Sequence, residues 1–309
     1  MGKKLEKDFL SMADLTKHDI AEIMAIASRL KRYKYSRQLE NRTIALLFEK
    51  PSTRTRLSFE AGIIQLGGSP IYMDASTTQL SRGESLEDTA KMFERFVDGV
   101  VARVYKHETL VTLATKSRIP VINALSNLEH PCQILSDLFT IREKKGSLEN
   151  QKIAYVGDGN NVCNSLILGS AIAGCNIAVA TPDKYKPNNN IVELAKRISP
   201  EGVKIMNNPY DAVSGATVVY TDVFVSMGDE ASKEERLKEF LPKYQVTKKL
   251  MSYAQKDAIF MHCLPAHRGE EVEADVIDGP QSVVLDQAEN RLHVQKALLL
   301  KLFNLVAYL

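Results

Sequence analysis

The sequence predicts an α/β protein of two three-layer domains, each a parallel sheet covered by helices, with the C-terminal helix packing back on the first domain. Three observations lead there. The 309 residues are about twice the length of an ordinary domain. Short apolar runs alternate with amphipathic stretches of helical period through both halves, the pattern of parallel strands joined by helical crossovers. Those runs end repeatedly in polar residues, where open α/β sheets collect ligands. The expected domains are 1–145, joined by the helix 288–309, and 146–287.

The elements follow in order. Residues 16–35 have helical spacing and open with Thr16 and Asp19 in a capping pattern. "TIALLFEK" (43–50) reads as a buried strand, and the next stretch as a helix stopped at Gly67-Gly68. Then come a strand at 69–74, a helix at 85–96, a strand at 98–105, a helix at 108–116, a strand at 119–124 and a helix from about His130 to Lys144, which is the expected link between domains. A second series starts with the strand in "KIAYVGDGNN" (152–161), a helix at 162–174 and a strand at 176–182, with a helix entry at 187–190. Apolar runs at 216–224, 258–265 and 282–287 read as three more strands. Residues 288–309 are too apolar for a helix standing alone and need a surface to cover.

Composition narrows the function. Hydrophobic residues at 44% and charged residues at 25% are globular values, and a net charge of +2 gives no bulk attraction to nucleic acid or an anionic membrane. Any anion must therefore be held locally. Four scattered cysteines without a Cys-x-x-Cys pair, and a lysine-rich start without a secretory core, fit a soluble protein of a reducing cytoplasm.

The densest group of donors is "FEKPSTRTRLSFE" (48–60). Ser52, Thr53, Arg54 and Thr55 sit where a strand gives way to a helix, so the first helical N–H groups and the positive end of the dipole face the same way as their hydroxyls and guanidinium. A bare Ser-Thr pair would read as a helix cap; arginines interleaved with hydroxyls make a phosphate site. In "HPCQ" (130–133), His130 and Gln133 share one helical face after Pro131 and can donate to one carbonyl oxygen. Arg103 ends the strand 98–105, in the crevice at the carboxyl edge.

In the second half, "GDGNN" (157–161) resembles a dinucleotide fingerprint, but Val162 stands at the third glycine position and no acidic residue clearly ends the next strand, which disfavours a nicotinamide cofactor. Asn161 offers an amide at a helix start instead. "TDVFVSMGDE" (221–230) and "HCLPAHRGEEV" (262–272) place Asp222, Ser226, Met227, Cys263 and Leu264 at one sheet edge, with Asp222 suited to a substrate amine. His262, Cys263 and His267 lack a fourth ligand at sensible spacing for zinc, so no metal is expected.

"STRTR", "HPCQ", "DGNN", "DVFVSMG" and "HCLP", in this order and over nearly the whole chain, closely resemble the ornithine carbamoyltransferases. The first two are shared by carbamoyltransferases in general; "SMG" and "HCLP" mark the ornithine branch, and "HCLPAHRGEEV" with the moderate length looks like the bacterial biosynthetic type. The resemblance implies an N-terminal carbamoyl-phosphate domain, a C-terminal ornithine domain, and carbamoyl transfer to ornithine in arginine biosynthesis with no cofactor. By it, Ser52, Thr53, Arg54, Thr55 and Arg103 hold phosphate, while His130, Gln133 and Arg103 or Thr55 polarise the carbamoyl carbonyl. Arg291 joins the same ligand. Asn161, Asp222, Ser226 and Met227 hold ornithine, with Cys263 and Leu264 near its reacting amine. Arg103, His130, Asp222 and Cys263 are the expected catalytic set. Gln79, in "TTQLSRGES" (77–85), matches a loop that serves a neighbouring subunit's site, which implies a homotrimer. Rival readings are a carbamoyltransferase for putrescine or another amine, a nucleotide-dependent oxidoreductase, and a non-catalytic anion-binding module.

Overall fold

The structure is a computed structural model that describes residues 7–226 and 230–306. The chain divides into two units, Met1–Phe139 with Glu289–Leu309, and Thr140–Ala288.

In the first unit α1 (Lys17–Arg32) starts at Thr16, whose hydroxyl accepts from the Asp19 N–H while Asp19 accepts from Thr16. It stops before residue 35 because Tyr33 takes extended backbone (φ −115°). There follow β1 (Thr43–Phe48), α2 (Thr53–Gln65), β2 (Ser69–Asp74), α3 (Leu86–Phe96), β3 (Gly99–Arg103), α4 (His107–Lys116), β4 (Val121–Leu125) and α5 (Pro131–Lys145). The four strands are parallel in the order β2-β1-β3-β4. Ala45, Leu47, Val100 and Ala102 pack with Phe93, Leu110 and Leu113 of the covering helices. The chain turns one way from β1 to β2 and the other way from β3 to β4, so the topological switch lies between β1 and β3. Phe48 pairs with Arg103, which levels the two strand ends there.

The second unit continues with β5 (Lys152–Val156), α6 (Asn161–Ala173), β6 (Asn176–Ala180), α7 (Asn189–Ile198), β7 (Val203–Met206), α8 (Pro209–Val213), β8 (Val218–Thr221), α9 (Lys233–Phe240), α10 (Lys248–Met251), β9 (Ile259–His262) and α11 (Ala274–Ile277). Its five parallel strands run β7-β6-β5-β8-β9, with the switch between β5 and β8. β7 carries no clear strand signal in the sequence: its four residues place Lys204 between apolar neighbours and are only partly buried.

One expected strand is corrected. In 282–287 only Ser282 makes a bridge, to Phe260, and from Val284 the chain is helical. The run is apolar because Val283 and Val284 are buried at a helix start, while Leu285 points outward at 77% exposure; a buried strand would have hidden it. This helix, α12 (Val284–Leu302), enters the first unit at Glu289. There Leu298, Leu299 and Leu300 are fully buried. Lys301 pairs with Asp19 and Glu22 of α1. The Lys296 ammonium donates to the Lys34 carbonyl and to Gln65 Oε1 at 2.8 and 3.1 Å, and burial lowers its pKa to about 8. The terminal helix is thus fixed to the first unit by apolar packing and by ionic ties.

Candidate active site

In the first unit the loop after β1 delivers Ser52 as the N-cap of α2, its hydroxyl accepting from Thr55 N–H at a long 3.4 Å. Thr53, Arg54 and Thr55 form the first helical turn, whose N–H groups have no intrahelical acceptor. Thr55 is fully buried and Arg54 partly so. Arg56 turns away: it lies over the Tyr72 ring at 3.6 Å and pairs with Glu60 at 2.9 Å. One arginine of the pair is therefore structural.

Buried donors gather around this turn. Arg291 of α12 donates from Nη2 to Thr55 Oγ1 at 2.7 Å and from Nη1 to Gln133 Oε1 at 2.9 Å. Gln133 in turn donates from Nε2 to Asp137 Oδ1 at 2.7 Å. His130 closes the start of α5, its carbonyl accepting from Gln133 N and Ile134 N. Burial, then the nearby charges of Arg291 and Arg103, hold the His130 pKa well below the usual imidazole value. At neutral pH His130 is an uncharged ring with one N–H to donate, so it can polarise a carbonyl without adding a third charge beside two guanidiniums. Arg103, the last residue of β3, is buried at the switch point. The loop before His130 is pinned by Glu129, which accepts from Ser11 Oγ and Met12 N. The unit thus presents two guanidiniums, a neutral imidazole and a helix N-terminus, which suit a dianion with a carbonyl attached. Gln79 is exposed on the short turn Gln79–Arg82, away from any bond to this cluster.

In the second unit the corresponding switch point collects Asp222, Asn160 and Cys263. Asn160 caps α6, its Oδ1 accepting from Val162 N and Cys163 N, and donates from Nδ2 to Asp222 Oδ2 at 2.8 Å. Cys263 Sγ donates to Asp222 Oδ1 at 3.1 Å. Both carboxylate oxygens of Asp222 are thereby oriented. Asn161 is the first residue of α6, and Ser226 lies half-buried after β8. Met227 lies outside the described residues. Leu264 holds a positive φ of 60°, and its N–H donates to His262 Nδ1 at 2.9 Å. With Nδ1 accepting, the ring proton sits on Nε2, which faces Glu271 Oε1 at 3.2 Å. Burial raises the Glu271 pKa, but bonds from His262 and the His267 N–H outweigh it and leave the carboxyl below its usual value. Asp222, His262 and Cys263 have ligand-type atoms within 4.8 Å of one another; they are engaged by the bonds just given.

The "GDGNN" turn has a local reason for its glycine. A Cβ on Gly159 would lie 2.2 Å from Pro187 N and 2.5 Å from Tyr185 O. The space that a dinucleotide's pyrophosphate would need over this glycine is filled by the backbone of 185–187. Asp158 pairs with Arg236 of α9, whose Nε donates to the Phe224 carbonyl at 2.6 Å. Sequence reasoning missed Asn160, Asp137, Glu129 and Arg236. Only Asp137, four residues after Gln133 on one helical face, left a readable signal.

The aspartate/ornithine carbamoyltransferase carbamoyl-P binding domain matches residues 7–143, and the Asp/Orn binding domain of the same family matches 149–302. An ornithine carbamoyltransferase of Carboxydothermus hydrogenoformans is 53% identical over 300 residues, 95% of this chain and 96% of that protein. One from Bacillus subtilis is 50% identical, covering 95% of this chain and 92% of its own. The solved ornithine carbamoyltransferase of Pyrococcus furiosus superposes with a TM-score of 0.92 at 47% identity, over 96% of this chain and 97% of that one. With both family domains matched in order and full-length relatives at half identity, this chain belongs to the aspartate/ornithine carbamoyltransferase family.

Proposed function

We propose that this protein transfers the carbamoyl group of carbamoyl phosphate to the δ-amine of L-ornithine, giving L-citrulline and phosphate, as a cytoplasmic homotrimer serving arginine biosynthesis. The observation that carries this reading is the buried Arg291 joined to both Thr55 and Gln133, with His130 and Arg103 close enough to share its electrostatics. Ser52, Thr53, Arg54, Thr55 and Arg103 bind the phosphate, and His130, Gln133 and Arg291 meet the carbamoyl end. Asn161, Asp222, Ser226 and Met227 hold ornithine, with Cys263 and Leu264 beside its reacting amine. The relatives, named for ornithine at about half identity, favour that acceptor over putrescine.

The neutral amine attacks the carbamoyl carbon, negative charge grows on the carbonyl oxygen under the donors of His130 and Gln133, and as the C–O bond breaks phosphate leaves, taking up the proton that the amine nitrogen sheds, while held by arginines and helix N–H groups. The departing group is stable as an anion, so the step needs no cofactor. An alkyl ammonium has a pKa of about 10.4, so freeing the amine at pH 7 costs on the order of 4 to 5 kcal/mol. Accordingly kcat/KM for ornithine rises from pH 6.5 toward 9; a flat profile with chemistry rate-limiting would contradict the unaided-amine mechanism.

Three features support self-association. Leu57 and Ile64, seven residues apart on one face of α2, are 60% and 59% exposed. The edge strand β2 exposes Ile71 at 48%. Gln79, on a surface turn, is available to a neighbouring copy. The deciding assay is citrulline formation from carbamoyl phosphate and L-ornithine, with putrescine, L-aspartate, N-acetylornithine and L-lysine in parallel. Strong preference for ornithine is expected. Turnover with another acceptor alone would overturn the roles of Asp222 to Met227, and none at all would leave an anion-binding module.

A further inference from the structure

We propose that Asp137 is a positioning residue for carbamoyl transfer: its buried carboxylate fixes the orientation of the Gln133 amide, so that one N–H is directed at the carbamoyl oxygen. This rests on the carbamoyl-transfer reading above. A glutamine amide can turn end over end, exchanging its oxygen for its nitrogen, and a donor role needs that choice settled. Here the two groups that hold it allow one answer. Arg291 can only donate, and its Nη1 takes the amide oxygen at 2.9 Å. Asp137 Oδ1 accepts an amide N–H at 2.7 Å, which sets the nitrogen end of the amide toward the carboxyl group. One N–H remains, and both ends of the amide are anchored.

The anchor is rigid for structural reasons. Asp137 and Gln133 are four residues apart on α5, so their side chains lie along one face one turn apart. Asp137 is fully buried and Gln133 almost so. Burying a carboxylate is costly, and its placement within one bond of a substrate-facing amide is the return for that cost. The same chain of bonds runs from Asp137 through Gln133 and Arg291 to Thr55 at the phosphate turn. Asp137 therefore acts through Gln133 on the carbonyl and, one bond further, on the residue that joins the carbonyl and phosphate ends.

The test is a double-mutant cycle on the full-length enzyme with Asp137→Asn, Gln133→Ala and both together, at a temperature well below melting. Asparagine in place of the aspartate would keep the shape but present an amide that can donate or accept, so the nitrogen end of Gln133 loses its fixed acceptor while Arg291 still holds the oxygen. Asp137→Asn is expected to lower kcat about tenfold with the KM for ornithine unchanged within about twofold, and to have no further effect once Gln133 is alanine. A double variant whose loss is the product of the two single losses overturns the proposal, as does an Asp137→Asn protein that fails to fold or that keeps wild-type kcat. A second readout is independent of turnover. With glutamine-selective 15N labelling, the Gln133 side-chain amide is expected to give one downfield, slowly exchanging proton that is lost in Asp137→Asn; its absence from the wild type overturns the proposal. An inactive wild type refutes the carbamoyl-transfer reading instead, and the amide signal still decides whether Asp137 holds Gln133.

Discussion

At the scale of single residues, the first unit's cluster is organised by what each group can and cannot do as a donor. Arg291→Ala removes two donors at once and leaves Thr55 Oγ1 and Gln133 Oε1 buried beside an empty volume. Losing one preorganised donor of this kind costs about 100-fold in rate, so at least that loss in kcat/KM for carbamoyl phosphate is expected in steady-state kinetics. The KM for ornithine is expected to hold, since the second unit's Asp222 and Cys263 are untouched. His130 carries a different signature. Its folded pKa lies well below 6.5, chiefly through burial and then through Arg291 and Arg103, while in the unfolded chain it is near 6.5. Between those values the unfolded state binds the proton that the folded state refuses, so stability is intact above pH 6.5 and falls as the pH drops toward the folded value. One such group contributes at most about 1.4 kcal/mol per pH unit. Urea unfolding at pH 7.5 and 5.5 reads this: the drop is expected to be smaller in His130→Gln, and an equal drop would mean that His130 protonates freely in the fold.

At the scale of elements, the groups of each unit's candidate site are delivered by strand ends and helix starts, and the switch point of each sheet, between β1 and β3 or between β5 and β8, decides which ones meet within that unit. The turn after β5 illustrates how tight that delivery is. Gly159→Ala would force a methyl against the backbone at Pro187 and Tyr185, 2.2 to 2.5 Å away, where no side chain can swing aside. A loss of about 3 kcal/mol is expected, read as a lower midpoint in denaturant, together with a higher KM for ornithine because Asn160 and Asn161 follow directly. Unchanged stability would mean that the 185–187 segment yields freely. The sequence made the alternation of strands and helices legible because apolar period and capping are local: Thr16 with Asp19, Ser85 before α3 and Gly174 after α6 all mark real ends. It misassigned 282–287 because a buried helix start and a buried strand are equally apolar over six residues. Of the chemical residues, those announced by dense hydroxyl, arginine, histidine or cysteine motifs were readable. Asn160 and Arg236 were not, since each matters through a partner 62 or 78 residues away in the chain, and pairing over such distances has no local signal; Asp137, one helical turn after Gln133, could have been found by its spacing.

At the scale of the whole molecule, what remains to be explained is apolar surface. A net charge of +2 puts little electrostatic barrier between copies, and β2 is an edge strand with exposed Ile71 and without the lysines that commonly guard such edges. Leu57 and Ile64 add an outward apolar stripe to α2, the helix that also carries the turn Ser52 to Thr55. Association through this face would put a neighbour close to the chemistry, and Gln79 is the residue whose family resemblance gives it work there. Sedimentation of the 34.4 kDa chain is then expected to give a mass near 103 kDa, three times the monomer, and Leu57→Glu with Ile64→Glu to shift it to the monomer. Mass alone would not tell whether Gln79 crosses between subunits, so the sharper experiment mixes two defective variants. Gln79→Ala and Arg54→Ala, each nearly inactive, are dissociated and reassembled together. If Gln79 serves the neighbour, about a quarter of the sites in an equal mixture combine an intact Arg54 from one chain with an intact Gln79 from the next, and activity returns to that level. If Gln79 serves its own chain, every site keeps one defect and the mixture stays as inactive as its parts.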